Sequence, residues 1–446
     1  MIRHRFLLTA TMLAALLAAT ATEAKAQSVT EEILEILKQS GKVTEEKYQE
    51  LKTRAAAENK AEQKAEENYR VYWKSGLRFE SPEGDFKLKL GGRIQNDWAI
   101  LKPSGAIQEE FDQGDLVSGG KIRRARLAFS GTLYENFVFK AQYDFANAVV
   151  GIKDLYIGAQ NVPFIDTILI GHMKEPYSLE QMTSSNNITF MERGAGATLD
   201  AARNTGVTIY PRFLDKRVGW DLGAYLNTAD TASGFSIESL YNVTTRLYGV
   251  PWWQEGGRRM AFIGGSFTHQ FRNGDTVSYS GRPNTSFGPK LISTGDVETN
   301  GNDLINVSAA IVVDSFSAQA EYSHSFIDSP SGPDVDFFSW YVLASWFLTG
   351  EHRPMNLQKG AFGAVQPKNP FGWGPGSGWG ALQVAARFSQ LDLDSGTVEG
   401  GQLNDTTLGL NWYLNPALRF TFNYIYSDRE PIGSENIWQC RFQVAF

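Results

Sequence analysis

The segment FKLKLGGRIQNDW (residues 86–98) decides the fold class of this chain, because its polarity changes with a period of two. One face of the segment carries apolar side chains: Phe86, Leu88, Leu90, Ile94 and Trp98. The opposite face carries charged and polar side chains: Lys87, Lys89, Arg93, Gln95 and Asp97. Successive side chains of a β-strand point to opposite faces of a sheet, so this alternation predicts a strand with one apolar and one polar face.

The same alternation recurs in FVFKAQYDFA (137–146), SFSAQAEYSHSF (315–326), LRFTFNYIY (418–426) and IWQCRFQVAF (437–446). A soluble two-sheet sandwich would also show it. Two features favour a membrane-spanning barrel instead. The segments are roughly ten residues long, whereas soluble strands usually have ~5–6. Charges also recur on the polar faces, and aromatic residues crowd the ends of the apolar faces.

The strand count and the connections support an all-β fold, an antiparallel transmembrane β-barrel over residues 73–446. The sixteen predicted strands are 86–100, 121–134, 137–146, 152–160, 165–172, 204–212, 216–227, 237–248, 258–271, 304–313, 315–326, 337–348, 378–391, 404–414, 417–427 and 437–446. Tight turns alternate with long connections at 101–120, 173–203, 272–303 and 428–436, as in outer-membrane barrels. The connections 249–257 and 349–377 are long on the short-turn side, and the second would be unusual there unless it folds into the barrel.

Residues 1–72 differ in composition from the rest of the chain. Two arginines precede an apolar run, and Ala24-Lys25-Ala26 offers small residues for cleavage, so residues 1–26 are predicted to be a secretory signal peptide. Residues 27–72 are rich in Glu, Lys, Ala and Gln, and they predict a helical periplasmic segment whose second helix Thr44 can cap. This segment is either a solvated linker helix or an oligomerising coiled coil, and the spacing leaves both open.

Charge and cysteine content exclude some classes of protein. Without residues 1–26 the chain has 39 basic and 48 acidic side chains and a net charge of -9. An acidic exported protein is a poor binder of nucleic acid. Cys440 is the only cysteine, so no disulfide can form within the chain.

The stretch GHMKEPYSLEQMTSSNNITFMERG (171–194) interrupts the alternation and is polar throughout. Ser178 could cap a short helix with Glu180 in its first turn. A sixteen-stranded barrel is wide enough to leave a water-filled lumen. We therefore predict that loop 173–203 folds inward and narrows this lumen, where its charges act on passing solutes at close range. The alternative is an exposed surface loop without such a role.

At these residues the chain resembles the phosphate-selective porin O and P family. The matching segments are FKLKLGGRIQ (86–95), RRARLAFSG (123–131), FKAQYDFA (139–146), 171–194 as quoted above, FSAQAEYSHS (316–325), WFLTGEHRP (346–354), TLGLNWYLNP (407–416) and FQVAF (442–446). The resemblance implies a sixteen-stranded homotrimeric porin of the Gram-negative outer membrane, with the third loop inside the channel. Residues 28–70 look like the periplasmic extension of some relatives. The terminal Phe446 looks like the signal read by the barrel assembly machinery.

The resemblance also suggests which residues contact the anion, phosphate or polyphosphate in this family. Arg93, Arg123, Arg124 and Arg193 match basic positions of the family pattern, and Asp154 matches an acidic position near the channel. On the alternation alone Arg123 faces the lipid, unless a bulge turns it inward. Further candidates for the pore lining are Arg126, Lys174, Arg282 and Lys290.

Two departures from the family pattern predict moderate anion selectivity and weak phosphate block. Gln181 stands where phosphate-selective members carry lysine, and the fifth loop offers only Arg282 and Lys290 in place of an arginine-rich segment. A general small-solute porin, without phosphate selectivity, is the alternative.

Other function classes find less support in the sequence. After cleavage of the signal peptide four histidines remain, His172, His269, His324 and His352, and none has metal-ligand spacing. The glycine-rich GWGPGSG (372–378) lacks the following Lys-Ser/Thr of a phosphate-binding loop. No enzyme site, cofactor or metal is therefore predicted. A barrel adhesin or receptor would need large outer loops that stay out of the lumen.

Overall fold

The computed structural model describes residues 43–54, 69–111, 118–146, 149–228, 241–330 and 332–446, together with 36, 38, 40 and 116. It contains two compact units, Met1–Arg70 with Glu80–Glu83 and Val71–Phe79 with Gly84–Phe446. Short strands cover Arg70–Trp73 and Leu77–Glu80. No helix among the described residues is both long and apolar enough to cross a membrane.

In the first unit residues 45–54 are helical. Thr44 caps this helix, because its carbonyl accepts from the N–H of Tyr48 at 2.9 Å and its hydroxyl accepts from the N–H of Lys47 at 3.4 Å. The predicted signal peptide lies outside the described residues, as does the stretch 55–68 of the predicted second helix.

The second unit is a closed antiparallel barrel of sixteen strands, which confirms the predicted fold class. The strands are β1 Phe86–Pro103, β2 Gly119–Leu133, β3 Phe137–Asp144, β4 Gly151–Val162, β5 Asp166–Lys174, β6 Arg203–Ile209, β7 Val218–Leu226, β8 Tyr241–Gln254, β9 Arg259–Val277, β10 Val297–Val313, β11 Phe316–Asp328, β12 Val335–Phe347, β13 Ala381–Ser395, β14 Val398–Tyr413, β15 Leu418–Glu430 and β16 Gly433–Ala445. Arg212–Phe213 continues β6 and also pairs with β7. β16 pairs with β1 from Glu435 opposite Pro103 to Ala445 opposite Arg93, which closes the sheet.

The two faces of the strands differ as the alternation predicts. On β15, Phe420 and Phe422 point outward and are 42% and 45% exposed, whereas Arg419, Thr421 and Asn423 point inward and are buried. Outward aromatic rings of neighbouring strands stack near the short-turn end, for example Phe420 on Phe442 with ring centroids 4.7 Å apart. The barrel therefore has an apolar outer surface and a polar interior.

Several strands are longer than predicted at the end that carries the long loops. The connection predicted at 428–436 is in fact a tight turn at 431–432. Likewise, the segment 392–403 between two predicted strands is reduced to a tight turn at 396–397. The reason is a reversal of polarity. Here the inward-facing Leu391, Leu393 and Leu403 are fully buried, because loops pack against them inside the barrel. An apolar inner face and a polar outer face do not look like a membrane strand in the sequence.

Three connections enter the barrel: the central loop (residues 175–202), the outer loop (278–296) and the first part of the short-turn loop (348–380). The central loop contains the helix Leu179–Met182 and the 3₁₀ helix Ala195–Leu199. The outer loop contains the paired strands Ser280–Gly281 and Ile292–Ser293, and the short-turn loop contains Met355–Asn356 and Ala361–Phe362. The remaining short helices are Gly105–Phe111, between β1 and β2, and Glu255–Gly257, between β8 and β9.

Candidate functional site

The central loop begins with a capped helical turn. Ser178 precedes the helix Leu179–Met182, and its hydroxyl accepts from the N–H of Gln181 at 3.0 Å. The carboxylate of Glu321 on β11 accepts from the N–H groups of Leu179 and Glu180 at 3.0 and 2.8 Å. The first N–H groups of a helix have no partner within the helix. Here they bind Glu321 and so fix the start of the loop to the barrel wall.

The second half of the loop is fixed by amides of the opposite wall. Asn423 on β15 accepts from the N–H of Met191 at 2.9 Å. Asn411 on β14 donates to the carbonyl of Thr189 at 2.9 Å. The chain therefore crosses the interior with both of its halves held by buried side chains.

Three buried arginines on β13, β15 and β16 bind carbonyl groups of the same loop. Arg419 donates to Ile188 at 2.8 Å and to Thr189 at 2.6 Å. Arg387 donates to the carbonyl of Glu192 at 3.2 Å, and Arg441 donates to that of Met191. Arg419 and Arg441 lie on the polar faces of LRFTFNYIY and IWQCRFQVAF and do face inward, but their guanidinium groups are occupied by the loop.

A β-bulge in β2 explains the unexpected direction of Arg123. In the register with β1, Gln95 lies opposite Arg124 and Asn96 lies opposite Ile122, so Arg123 has no partner in the ladder. The extra residue turns the side chain inward beside that of Arg124. The sequence left two alternatives for Arg123, a direction toward the lipid or a bulge that turns it inward. The structure contains the bulge.

The carboxylate of Glu192 in the central loop binds three arginines, Arg123, Arg124 and Arg441. Arg123 donates to both of its carboxylate oxygens at 2.9 and 3.1 Å. Arg441 donates at 2.6 Å and Arg124 at 3.3 Å. Burial alone would raise the pKa of Glu192, but the guanidinium groups of Arg124, Arg123 and Arg441 outweigh it and hold the pKa well below its usual range.

Lys174, Gln181 and Arg193 meet at the first turn of the central loop. The ammonium group of Lys174 donates to the carbonyl of Gln181. Arg193 donates to the carbonyls of Glu180 and Thr183 at 3.0 and 2.9 Å. The Gln181 amide itself donates to the carbonyl of Ala201 at 3.3 Å, so this side chain braces the loop.

Below the central loop, toward the short turns, lies a cavity of about 910 Å³ that we name the cationic vestibule. Its lining contains two acidic side chains, Asp154 and Asp166. The basic side chains of the lining are Arg78, Lys87, Lys89, Arg93, Arg124, Arg126, Lys140, Lys174, Arg193, Arg203, Arg212, Lys216 and Lys359. This excess of positive charge surrounds the cavity, although the chain as a whole is acidic.

Several vestibule cations have carboxylate partners. Asp154 accepts from Arg203 at 3.1 Å and from Lys140. Arg126 donates to Asp144 at 2.7 Å. Arg93 instead donates to the hydroxyl of Ser185 in the central loop at 2.6 Å, which places a guanidinium group at the boundary between loop and vestibule.

Among the described residues, four lysines of the vestibule lie beyond ion-pair distance of any carboxylate: Lys89, Lys174, Lys216 and Lys359. Lys174 is engaged by the carbonyl of Gln181. Lys89 on β1 and Lys359 on the short-turn loop are the two considered further. Lys359 reaches this position because Arg246 holds the carbonyl of Gly360 at 2.6 Å and Tyr248 holds that of Leu357 at 2.7 Å. Burial, and then the charge of Lys140, lower the pKa of Lys359 from its ordinary value. The side chain is nevertheless exposed to the vestibule, so its ammonium group is available to an anion.

Arg282 and Lys290 do not join this group. Both are exposed, neither lines the vestibule, and Arg282 donates to the carbonyl of Gly288 in its own loop at 2.8 Å. The outer loop that carries them nevertheless enters the barrel. The N–H of Asn284 donates to Asp405 on β14 at 2.8 Å, and Thr285 donates to Gln439 on β16 at 2.8 Å.

Of the ten predicted site residues, six line the vestibule: Arg93, Arg124, Arg126, Asp154, Lys174 and Arg193. The sequence did not predict Lys359, Arg212 and Lys216 as lining residues. Lys359 lies on the short-turn loop, and Arg212 and Lys216 lie at the turn between β6 and β7. The unusual length of the connection 349–377, which contains Lys359, was the feature of the sequence that could have pointed to it. Among the described residues, no group of three or more His, Cys, Asp or Glu side chains could hold a metal ion.

Comparison with known proteins identifies a family, a relative and solved structures to which this chain is similar. The family model "Phosphate-selective porin O and P" matches residues 88–446. Porin O of Pseudomonas aeruginosa is 23% identical over 404 residues, covering 81% of this chain and 88% of that protein. The solved anion-selective porin from Comamonas acidovorans superposes with a TM-score of 0.51 at 13% identity, covering 81% of this chain and 100% of that one. The trimer form of OmpT of Vibrio cholerae has a TM-score of 0.50 at 12% identity and covers 81% and 99%. These solved structures share the fold, and the family match, over most of the chain, shows that the protein belongs to the phosphate-selective porins O and P.

Proposed function

We propose that the chain forms a water-filled channel through the Gram-negative outer membrane for the passive diffusion of small anions. One observation carries this proposal, the vestibule whose lining has thirteen basic and two acidic side chains. A lumen of one charge sign attracts ions of the opposite sign and repels the others. The net charge of -9 matters less, because charges farther away than a Debye length, ~8 Å at physiological salt, are screened.

The arrangement of the cations favours passage over tight binding. Conduction requires sites that attract an ion without trapping it. Asp154 lies between Lys140 and Arg203 and competes with an anion for both of them. Lys89 and Lys359 offer charge without such a competitor. An anion can therefore exchange between several partners along the vestibule.

The central loop is proposed to set the width of the path. It crosses the interior between β11 at one side and β14–β16 at the other, and Arg93 and Arg193 lie on its vestibule side. Replacing residues 181–187 by two glycines keeps the anchors at Glu180 and Glu192. Single-channel conductance should then rise, while unchanged conductance from an intact barrel would remove the central loop from the conduction path.

Phosphate is proposed as a permeant anion that binds weakly. The name of the family supports phosphate as a solute, whereas Gln181 supplies an amide in place of a lysine. This amide is engaged with Ala201 and does not line the vestibule. Millimolar phosphate should therefore reduce the chloride current only partly.

Reversal potentials test the proposed selectivity directly. The protein is reconstituted in planar bilayers, and a potassium chloride gradient is applied. The chloride-to-potassium permeability ratio should exceed one, and phosphate on one side should give a partial, voltage-dependent block. A wild-type channel that prefers potassium would contradict the anion proposal and leave a general porin.

We also propose a homotrimer and assembly through Phe446. The trimer is supported by the trimer form of the structurally similar OmpT. At the C-terminus, the backbone of Phe446 pairs with Gly92 of β1 in both directions, at 2.7 and 3.0 Å. Deleting Phe446 should reduce the amount of heat-modifiable barrel in the outer membrane, and native mass spectrometry of the wild type should give three chains. A monomer in mild detergent would contradict the trimer.

A further inference from the structure

One part of the short-turn loop has no place in the channel function. Residues 369–379, NPFGWGPGSGW, lie against the outer surface of the barrel, and we name them the clip. The ring of Phe371 packs edge-on against that of Trp412, with centroids 5.4 Å apart. Trp412 belongs to the outward face of β14, because Leu408 and Leu410 on the same face are 51% and 45% exposed. The short-turn loop therefore enters the barrel near Lys359 and then passes to its outside.

Backbone hydrogen bonds fix the clip in this position. The N–H of Phe371 donates to the carbonyl of Leu414 at 2.7 Å. Phe371 also pairs with Gly378, and the indole N–H of Trp412 donates to the carbonyl of Trp379 at 2.6 Å. The clip is thus a folded element attached to the end of β14.

Two indole rings of the clip are largely exposed, although that of Trp373 packs edge-on against Phe371 with ring centroids 5.0 Å apart. Trp373 is 94% exposed and Trp379 is 76% exposed. The clip has no charged side chain. Large aromatic surfaces exposed to this extent in a fixed position mark an interaction site. Indole combines an apolar body with a polar N–H, which suits the boundary between lipid chains and headgroups.

The clip continues the outward aromatic row of the barrel at its short-turn end. Trp412 stacks on Phe420 with centroids 6.1 Å apart, and Phe420 contacts Phe442. Such a row marks the membrane boundary of a barrel, and short turns face the periplasm. The occupant of the exposed indole surface is therefore expected to be the same lipid layer that covers the row.

We propose that the clip is an interfacial membrane anchor, in which Trp373 and Trp379 insert into the headgroup region of the periplasmic leaflet. The anchor holds the C-terminal end of the loop that carries Lys359 into the vestibule. It thereby ties a cation of the path to the membrane surface.

Site-specific labels test the anchor in the full mature chain. A fluorophore is attached at Trp373→Cys, or separately at Trp379→Cys, in a Cys440→Ser background, and each protein is reconstituted into phosphatidylcholine vesicles. Quenching by lipids brominated on the acyl chains is compared with quenching by iodide. Gly374→Cys in the same clip is the control, because Gly374 is exposed and a Cβ atom added there would meet only the hydroxyl of Ser377, at an ordinary contact distance of 3.8 Å.

Labels at 373 and 379 should be quenched several-fold more by bromolipid, and several-fold less by iodide, than the label at 374. Equal iodide quenching at all three positions would place the indoles in water and overturn the anchor. Protection from both quenchers would assign the surface to a protein partner, which also overturns it. Because Trp373 packs against little protein, heat-modifiable migration on gels should show an intact barrel in each variant.

Discussion

The arginines of β13–β16 and the basic residues of β1–β5 face the same interior but perform different tasks. On the first wall, Arg387, Arg419 and Arg441 are at most 4% exposed and bind carbonyl groups of the central loop. On the second wall, Lys89 and Lys140 line an open cavity. A guanidinium group has five donors in a fixed fork, which suits several fixed acceptors, whereas lysine is a mobile point charge. Inward-facing positive charge therefore indicates an anion path only where it lines open space and is not buried against a loop.

The largest expected effect tests the anchoring wall. Arg441 is bound to Asp97 through two contacts of 2.7 Å and to Glu192 through one of 2.6 Å. Arg441→Met leaves Asp97 buried without its partner, and breaking such a pair costs about 3–5 kcal/mol. We expect a lower temperature for the heat-modifiable transition on gels and a noisier, larger single-channel current.

Two variants serve as controls for Arg441→Met. In Asp97→Leu/Arg441→Met an apolar pair replaces the ion pair, so thermal stability should largely return while the current stays noisy. Lys89→Met on the other wall should leave the transition temperature unchanged. Equal transition temperatures for Arg441→Met and Lys89→Met would remove the difference between the two walls.

The next effect concerns the vestibule wall. Lys89→Gln/Lys359→Gln removes two lysines of the vestibule that form no ion pair with a carboxylate. A unit charge at ~4 Å contributes on the order of 1 kcal/mol in water-like surroundings, so the chloride-to-potassium permeability ratio should fall by roughly threefold to tenfold. Reversal potentials in a salt gradient measure it. An unchanged ratio would show that anions do not pass these lysines.

A smaller effect in the opposite direction is expected at Asp154. Asp154→Asn removes the carboxylate that competes for Lys140 and Arg203. Phosphate should then block the chloride current at a roughly threefold lower concentration, because one unit of opposing charge is lost near the path. A weaker block would mean that Asp154 positions the two cations and does not compete for them.

The sequence predicted the parts of this molecule that depend on neighbours in the chain or on periodicity. The alternation that begins at Phe86 predicted the strands, and Ser178 predicted the helical turn of the central loop. The outer loop was predicted as an outer connection, yet Asn284 contacts Asp405, 121 residues away. No local pattern encodes such a contact.

For a related reason, the sequence could not show which of the inward charges bind a loop and which line the vestibule. Arg441 and Glu192 are 249 residues apart, and only the closed barrel brings them together. The alternation indicates that Arg441 faces inward, but it cannot show whether a loop carbonyl or water receives its N–H groups. Arg123 is a case where one inserted residue reverses the direction of the side chain. The family resemblance identified it as important, whereas its direction depended on the bulge.

The smallest effect is expected from Arg282 and Lys290, which lie in the outer loop away from the vestibule. Both are exposed, so their charges act on an anion through water. The Debye length is ~8 Å at 0.15 M salt and ~30 Å at 0.01 M. Arg282→Gln/Lys290→Gln should therefore leave the permeability ratio unchanged near 0.15 M and lower it slightly at 0.01 M, whereas the loss caused by Lys89→Gln/Lys359→Gln should persist at both concentrations. Measuring both double variants across this range separates charges that steer anions to the mouth from charges that contact them inside. A large effect of the outer pair at 0.15 M would place Arg282 and Lys290 on the path, contrary to the division between the two regions.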